Sequence, residues 1–581
     1  MRSLLAGIAL SLAAMPALAQ QSSDVIAPEP DTGIEAKEAA HATKQMVVAA
    51  NPLAAQAGLD ALRKGGSAAD ALIAIQTVLG LVEPQSSGLG GGAFVVWFDA
   101  QTRQLTTFNA RETAPAAATP DLFLGPDGKP MDFWTAVVGG RSVGVPGVPL
   151  LLQTLHARFG KLPWDVGFEQ AVALAEKGFA VSPRLNALIA DDVDSLASEP
   201  AARAYFLDAA GKPLATGTVL RNPDYAETLK LLARDGAGAF YSGPLAQKIV
   251  AAVTGHPTNP GRMTVADLSA YEVREYAAVC APYRGFDVCG MGPPSSGAIA
   301  IGQILGLIEP YEIGTLGKDD PESWRIIGDA TRLAFADRER YLGDPEFVSI
   351  PKGMLDPAYL KSRSQLIRRP TALPADAVTA GEPPWDKAEL RIDGIPYELP
   401  STSHIVVVDA AGNVASMTTT IETAFGSHQM VAGFLLNNQL TDFSFAPERD
   451  GQAVANRVEP RKRPRSSMAP TIVMKDGKPV LALGSPGGSS IIPYVANALI
   501  GLIDWNLDMQ QAVAKPHLAN RFGKYQLEAG TSAEAFADDL QALGYETETT
   551  ELNSGLHGIA ITPQGLVGGA DPRREGVALG D

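Results

Sequence analysis

A β-hairpin is encoded near residue 410 more clearly than any other element of the 581-residue chain. Residues 405–408 are a β-branched run with strong strand preference, residues 409–413 have turn chemistry, and residues 414–421 resume as a second strand. If the last residue of the first strand pairs with the first residue of the second, Thr402 lies opposite Thr420. The sequence therefore predicts two hydroxyl groups that face each other at the open end of this hairpin.

The residues alone leave two interpretations of this threonine pair. The pair could be an ordinary threonine ladder on a sheet surface. Alternatively, Thr402 could be a nucleophile, although its hydroxyl would need a base and no Ser-His-Asp pattern is legible here. The α-amino group of a chain-terminal threonine, with an ordinary pKa of about 8, could be that base. This interpretation requires cleavage of the Ser401–Thr402 peptide bond, which a loop setting would leave accessible to the Thr402 hydroxyl itself.

The first 19 residues are predicted to be an export signal. Arg2 supplies a positive charge, residues 4–14 form a short apolar run, and Ala17-Leu18-Ala19 has the small-x-small pattern that signal peptidase reads. A buried N-terminal helix is the alternative, but a polar, proline-containing segment follows directly. No later segment approaches 18 uninterrupted apolar residues, so no membrane anchor is expected. The mature chain is expected to begin near Gln20, in a periplasmic or extracellular space.

Charge and composition exclude several classes of protein. Lys and Arg total 47 against 64 Asp and Glu, and this net charge of −17 argues against nucleic acid as a partner. The seven histidines are scattered without ligand spacing, and there is no CxxC or HExxH, so no metal and no cofactor is expected. Cys280 and Cys289 flank a turn that contains Pro and Gly. They could form a hairpin disulfide in an oxidising compartment, or remain two free buried thiols.

The remaining organisation is that of a large globular protein. Residues 50–82 are predicted to be helical with a break at Gly65-Gly66, and residues 150–260 are predicted to be mostly helical. The glycine-rich run at 86–92 precedes a strand, whereas a dinucleotide fingerprint would open a helix, so we reject that function for it. Residues 370–400 are predicted to be a proline-rich loop or linker.

Eight sequence strings resemble one known family, in family order and across the whole mature chain. They are GGSAADALIA, VEPQSSGLGGGAF, FNARETAP, MGPPSSG, TSHIVVVDAAGNV, FLLNNQLTDFS, KRPRSSMAPT and GSPGGS. On these strings the chain resembles the γ-glutamyltranspeptidases, which are N-terminal-nucleophile hydrolases. The resemblance implies a four-layer αββα sandwich of α+β class, made as one precursor that cleaves itself. The large subunit would comprise residues 20–401 and the small catalytic subunit residues 402–581, which begins with Thr402.

The resemblance also implies a role for each residue that matches a family motif. Thr402 would be the nucleophile, oriented by the hydroxyl of Thr420. The oxyanion hole would be formed by backbone N–H groups of the glycine pair Gly487 and Gly488, since glycine lets the backbone approach a reacting carbonyl. The α-carboxylate and α-ammonium of a γ-glutamyl group would be held by six side chains: Arg111, Glu422, Gln439, Asp442, Ser466 and Ser467.

The implied activity is transfer of the γ-glutamyl group of glutathione and related amides to water or to an amino acid or peptide acceptor. Relatives on the same scaffold deacylate the glutaryl side chains of cephalosporin-type amides instead. Glutaryl lacks the α-amine, so the retained Asp442 and Glu422 favour γ-glutamyl substrates, although many members have Asn where Glu422 stands. An exported binding protein that keeps the scaffold without activity is the alternative of another class. The expected partners are therefore small molecules and the second self-processed subunit.

Overall fold

The computed structural model describes residues 33–385, 392–393 and 401–581. The predicted export signal and most of the second half of the predicted loop at 370–400 lie outside these described residues. The longer described part of that loop, residues 370–385, carries a single 3-10 turn at Ala375–Ala377 and no strand, as the composition predicted.

Two seven-stranded antiparallel sheets dominate the described part of the chain. Their strands, in chain order, are β1 (Ala40–Ala42), β2 (Met46–Ala49), β3 (Gly92–Asp99), β4 (Gln104–Ala110), β5 (Arg274–Ala277), β6 (Val279–Tyr283), β7 (Phe286–Gly290), β8 (Ser403–Val408), β9 (Val414–Thr420), β10 (Thr471–Lys475), β11 (Lys478–Gly484), β12 (His557–Thr562), β13 (Gly565–Ala570) and β14 (Val577–Gly580). The first sheet has the order β1-β13-β12-β11-β10-β7-β6, and the second has β14-β2-β8-β9-β3-β4-β5. Each sheet therefore combines strands from before and after Thr402.

Helices cover the outer faces of the two sheets. Those of eight or more residues within the described ranges are α1 (Pro52–Arg63), α2 (Ala68–Val82), α3 (Val148–Phe159), α4 (Glu169–Lys177), α5 (Pro183–Asp191), α6 (Pro223–Asp235), α7 (Gly243–Gly255), α8 (Gly297–Ile308), α9 (Pro321–Tyr341), α10 (Pro357–Ser364) and α11 (Ile491–Ile503). The break predicted at Gly65-Gly66 separates α1 from α2. There Gly65 has a φ of 90°, a conformation that glycine adopts without strain.

Alternating side chains assign the faces of the strands and so define the layers. On β8, Val406 and Val408 point into a core between the two sheets, which also includes Ile472 and Ile559 of the first sheet. Val407 points the other way, into a core shared with α1, α2 and α3. A third core packs the outer face of the first sheet against α8, α9 and α11. The order helix, sheet, sheet, helix confirms the predicted four-layer sandwich.

The predicted hairpin is present as β8 and β9, with the predicted register. Ser403 pairs with Thr419 and Val408 pairs with Val414. The connecting turn is closed by Asp409, whose Oδ1 accepts hydrogen bonds from the backbone N–H groups of residues 411 and 413 at 2.9 and 3.0 Å. Both strands are fully buried because they lie in the middle of the second sheet, between β2 and β3.

The two cysteines form a disulfide. Cys280 on β6 and Cys289 on β7 lie directly opposite each other in the first sheet, with their Cα atoms 4.0 Å apart. This outcome decides between the two possibilities that the sequence left open. Within the ranges that the structure describes, no helix is both long and apolar enough to cross a membrane.

Candidate active site

The threonine pair lies at the open end of the hairpin, deep in the molecule. Thr402 immediately precedes β8 and Thr420 is the last residue of β9, and their side-chain oxygens are 3.4 Å apart. Thr402 is 4% exposed and Thr420 is 2% exposed. A threonine ladder on a solvated sheet surface, the first of the two interpretations, does not fit this degree of burial.

Both hydroxyls point at the peptide bond that precedes Thr402. Thr402 Oγ1 donates a hydrogen bond to the carbonyl oxygen of Ser401, and Thr420 Oγ1 donates to the same oxygen at 2.9 Å. The backbone N–H of Glu422 in turn donates to Thr420 Oγ1 at 2.8 Å and so fixes its orientation. In this uncut chain, one hydroxyl lies beside the Ser401 carbonyl group while the other polarises it.

The glycine-rich run at 86–92 supports this end of the hairpin. A Cβ atom on Gly91 would lie 2.0 Å from the carbonyl oxygen of Thr420, and one on Gly90 would lie 2.0 Å from that of Leu435. Only glycine permits such an approach of two backbones. Just before the run, the carbonyl oxygen of Gln85 accepts a hydrogen bond from the Ser401 hydroxyl at 3.0 Å. The glycine-rich run at 86–92, which is not a dinucleotide fingerprint, therefore supports the backbone around Ser401 and Thr420.

Arg111 and Asp442 form a buried ion pair beside the threonines. Arg111 follows β4 and is 1% exposed, and its Nη2 contacts Asp442 Oδ2. The guanidinium also donates to the carbonyl oxygens of Pro464 and Arg465, at 3.2 and 2.8 Å. Asp442 Oδ2 accepts a second hydrogen bond, from Gln439 Nε2, at 2.9 Å. The geometry fixes a cation and an anion next to each other, both shielded from solvent.

Glu112 is a second buried acid next to the same guanidinium. Its side chain is fully buried, and Oε2 lies 3.9 Å from Arg111 Nη1. Burial raises the pKa of Glu112 to about 8, although the charge of Arg111 opposes the rise. The carboxyl group is therefore mostly protonated at pH 7, so Arg111 keeps one anionic partner, Asp442. Sequence reasoning missed Glu112, although it is the next residue in the FNARETAP string.

Ser466 and Ser467 are held from behind by an arginine of helix α9. Arg338 is fully buried, and its guanidinium donates to Ser467 Oγ at 2.7 Å and to Ser296 Oγ at 2.8 Å. Ser296 in turn donates to the carbonyl oxygen of Ser466, from both its backbone N–H and its hydroxyl, at 2.8 Å. Glu339 joins Arg338 to Arg465 through ion pairs of 2.5 and 2.7 Å. No motif in the sequence indicated this long-range support.

Nearly all of the predicted residues line one pocket. Its lining consists of Arg111, Ser401, Thr402, Thr420, Glu422, Gln439, Asp442, Ser466, Ser467, Met468, Gly488 and Ile491. Gly487, the other predicted glycine, is not part of the lining. The backbone φ is 130° at Gly487 and 55° at Gly488. Met468 and Ile491 were not predicted, although the first directly follows the serine pair in sequence.

The pocket contains the two predicted acids, Glu422 and Asp442, and its described residues do not form a metal centre. Glu422 is 4% exposed, and its Oε2 accepts a hydrogen bond of 2.6 Å from Asn438 Nδ2. Across the described ranges, no group of three or more His, Cys, Asp or Glu side chains is arranged to hold a metal ion. The chemistry available to the pocket from its own residues is therefore nucleophilic attack, hydrogen bonding and charge pairing.

Comparison with known proteins agrees with this geometry. The four-layer sandwich with a threonine at the start of a central strand defines the N-terminal-nucleophile class of hydrolase, and residues 54–581 match the family model described as Gamma-glutamyltranspeptidase. The chain belongs to the γ-glutamyltranspeptidase family, a family of enzymes.

Individual relatives cover almost the whole chain. The glutathione hydrolase proenzyme of Bacillus subtilis (strain 168) is 37% identical over 92% of this chain and 91% of its own length. The acylase ACY 1 proenzyme of Pseudomonas sp. (strain SE83) is 35% identical over 92% of this chain and 93% of its own. Among solved structures, the cephalosporin acylase from Bacillus halodurans has a TM-score of 0.81 at 25% identity, covering 95% of this chain and 99% of that one. The γ-glutamyltranspeptidase of Helicobacter pylori has a TM-score of 0.55 at 30% identity, over 60% and 97%.

Proposed function

We propose that this chain is a glutathione hydrolase and γ-glutamyltransferase that activates itself by cutting the Ser401–Thr402 bond. The observation that carries the proposal is the position of the Thr402 hydroxyl. It contacts the Ser401 carbonyl oxygen in the uncut chain, and it lies in one pocket with the Arg111–Asp442 ion pair. Under this proposal, Thr402 acts first on its own chain and then on a substrate that carries both signs of charge.

In the self-cleavage step, Thr402 Oγ1 attacks the Ser401 carbonyl carbon, and the hydroxyl proton passes to the amide nitrogen of Thr402 as that nitrogen leaves. Thr420, which donates to that carbonyl oxygen at 2.9 Å, stabilises the negative charge that develops there. The C–N bond then breaks, leaving Ser401 as an ester on the Thr402 oxygen and freeing the α-amine of Thr402. Water hydrolyses this ester, which releases a carboxylate at Ser401 and a threonine with a free amine and a free hydroxyl.

The charges of the pocket match the α-carbon end of a γ-glutamyl group. Arg111 would bind the α-carboxylate, for which a planar guanidinium is suited, with help from the hydroxyls of Ser466 and Ser467. Asp442 would receive the α-ammonium together with Glu422. In the free chain Arg111 and Asp442 satisfy each other, so substrate binding exchanges one internal ion pair for two ion pairs with the ligand. Neither buried charge is left without a partner in either state.

In the transfer reaction, the free α-amine of Thr402 takes the proton of Oγ1 as the oxygen attacks the γ-carbonyl carbon. Backbone N–H groups of Gly487 and Gly488 would hold the oxyanion. Collapse expels the amine of the donor, protonated by the Thr402 α-ammonium, and leaves a γ-glutamyl ester on Thr402. Water then gives glutamate, or an amino acid or peptide amine gives a new γ-glutamyl amide.

Electrophoresis under denaturing conditions tests the proposal. The purified protein should give two fragments, and the smaller one should begin with Thr402 and contain 180 residues. Thr402→Ala should remain uncut and inactive, whereas Thr402→Ser, which keeps a hydroxyl, should still be cut. A wild-type chain that stays uncut would contradict the proposal and favour the non-catalytic binding protein.

A second candidate is a glutaryl-type acylase, which the similarity to two acylases favours. The two acids that line the pocket, Glu422 and Asp442, argue against it because a glutaryl group offers them no ammonium. Hydrolysis of a γ-glutamyl anilide beside a glutaryl anilide by the cut enzyme separates the two candidates. A higher kcat/KM for the glutaryl compound would assign the chain to the acylases.

The proposal includes export and a two-subunit product. Residues 1–19 would be removed, residues 20–401 would form the large subunit, and residues 402–581 would form the small one. The disulfide between Cys280 and Cys289 supports a periplasmic or extracellular location, because disulfides persist in oxidising compartments. Mass spectrometry of both fragments from the native host measures the two new N-termini directly.

A further inference from the structure

A second cavity lies apart from the Thr402 pocket and shares no lining residue with it. Its volume is about 310 Å3, at the lower end of the range of small-molecule sites. One wall is the start of α9, including Trp324. The opposite wall comes from the proposed small subunit, including Leu507, Lys515, Leu518 and Phe536. The cavity therefore lies where the two proposed subunits meet.

The most buried charged group of this cavity is Lys515, which is 9% exposed. Its Nζ makes one long hydrogen bond, to the carbonyl oxygen of Pro516 at 3.4 Å, and lies 4.6 Å from the ring centroid of Trp324 and 5.8 Å from that of Trp505. An ammonium has three N–H donors. Throughout the part of the chain that the structure describes, no carboxylate forms an ion pair with Lys515, so most of its donor capacity is unused.

An acid of the cavity wall and an acid whose charge acts on Lys515 are both engaged with other cations. Asp319, in the cavity wall, pairs with Lys318 Nζ at 2.7 Å. Glu528 accepts from Arg573 Nη2 at 2.7 Å. Burial and the nearby charge of Arg573 lower the pKa of Lys515 to about 7. A ligand anion would supply the missing charge and would restore the ammonium form.

The rest of the cavity is suited to an apolar body. The indole N–H of Trp324 is used by the carbonyl oxygen of Lys318 at 2.8 Å, so this side chain offers its ring and not a donor. Phe536 lies edge-on to the same indole, with ring centroids 6.2 Å apart, and two leucines complete this side of the lining. Aromatic rings in such an arrangement pack well against another ring.

We propose that this cavity binds a small organic monocarboxylate with an aromatic body. The carboxylate would accept hydrogen bonds from Lys515, and the ring would pack against the aromatic wall formed by Trp324 and Phe536. This inference does not depend on the γ-glutamyl chemistry, because the cavity and the Thr402 pocket have separate residues. It assigns a second ligand site to the region where the two proposed subunits meet.

Isothermal titration of the purified enzyme with 3-phenylpropionate tests the proposal, in the presence of saturating glutamate to occupy the Thr402 pocket. We expect saturable one-to-one binding in the millimolar range or tighter. At pH 8 binding should take up a proton, detected as a heat that varies with the ionisation enthalpy of the buffer, because the ligand anion raises the pKa of Lys515. Lys515→Met should weaken binding at least about tenfold, since it removes the charge but keeps the length of the side chain.

The matched control is Lys524→Met, which removes an exposed lysine that pairs with Glu548 and leaves the cavity unchanged. It should bind like the wild type. γ-Glutamyl hydrolysis by Lys515→Met, or its correct self-cleavage, verifies that this variant is folded. Absence of saturable binding to the wild type, equal binding by Lys515→Met, or equally tight binding of inorganic phosphate would each overturn the proposal.

A measurement on the wild type alone keeps the test decisive if Lys515→Met does not fold. A lysine with a lowered pKa reacts with an acylating reagent at pH 7 ahead of ordinary lysines, since the neutral amine is the nucleophile. Peptide mass spectrometry should show early acylation of Lys515 and protection by 3-phenylpropionate. Unchanged acylation of Lys515 at saturating ligand would contradict the proposed site.

Discussion

Replacing Glu112 by Gln should change how both stability and substrate affinity depend on pH. The wild-type carboxyl has a pKa of about 8 in the folded chain against about 4.5 when exposed. Between these values the folded state binds more protons than the unfolded state, so the free energy of unfolding falls as pH rises from 4.5 to 8 and levels off above 8. A difference of 3.5 units at about 1.36 kcal/mol each gives a loss of about 5 kcal/mol, which Glu112→Gln abolishes.

The same titration should affect binding of the γ-glutamyl donor. Below pH 8 Glu112 is neutral and Arg111 is available to the α-carboxylate of the substrate. Above pH 8 an ionised Glu112, whose Oε2 lies 3.9 Å from Arg111 Nη1, competes for that cation. If only the protonated form binds well, KM should rise about tenfold from pH 7 to pH 9. Glu112→Gln should lack this rise.

Two assays on matched proteins measure these effects. Thermal unfolding midpoints between pH 5 and pH 9 should diverge between wild type and Glu112→Gln as pH rises. KM for a γ-glutamyl anilide over the same range reports the binding effect. The substrate amine and the Thr402 amine titrate in both proteins. The ratio of the two KM values, wild type to Glu112→Gln, therefore isolates the contribution of Glu112. Glu546→Gln, an exposed position, controls for the loss of one negative charge.

Parallel unfolding curves for the wild type and Glu112→Gln would show that Glu112 is ionised in the folded chain at neutral pH. That result would refute the reasoning, because the carboxyl would then be satisfied by Arg111 in spite of its burial. An identical rise of KM in both proteins would likewise assign the titration to another group.

Three further predictions follow from contacts at or near the site. Thr420→Val should slow self-cleavage about 100-fold or more, because it removes the hydroxyl that donates to the Ser401 carbonyl. Thr420→Ser should restore the rate of self-cleavage, and a time course on denaturing gels measures the rate in both variants. Asp442→Asn should raise KM for a γ-glutamyl anilide at least about tenfold and affect a glutaryl anilide less, as steady-state kinetics will show. In Asp442→Asn the pKa of Glu112 should also fall, since the charge of Asp442 helps to raise it. Replacing Cys280 and Cys289 together by Ser should lower the free energy of unfolding by about 2 to 3 kcal/mol and leave KM unchanged, as thermal unfolding and kinetics on the same sample will test.

Local pattern was enough to predict the hairpin and its register. β-Branched runs on both sides of an Asp-to-Asn turn leave one pairing that buries both strands, and the structure has that pairing. The disulfide could not be decided in the same way, because two cysteines in a hairpin pair only if they occupy directly opposed positions. That depends on the register of β6 and β7, and Cys280 does lie opposite Cys289.

Long-range support for the site escaped sequence reasoning. Arg338 lies in the last turn of helix α9, where an arginine is typical of a solvated position, yet it is fully buried and donates to Ser467. The glycine run was recognised as unusual, but its purpose depends on Thr420 and Leu435, which are far away in sequence. Contacts of this kind are fixed by how layers stack, and no local pattern reports them.

Both sheets combine strands from before and after the proposed cut, and this determines whether the two chains of the product can dissociate on dilution. In the second sheet β2, from before the cut, lies between β14 and β8, which come from after it, and β9 pairs with β3 along seven residues. Neither fragment has a sheet of its own to retain, so separation of the two chains and unfolding are one event. The one-to-one ratio is then set by each precursor molecule, fragments do not exchange between molecules, and specific activity stays constant on dilution, as in a single-chain enzyme.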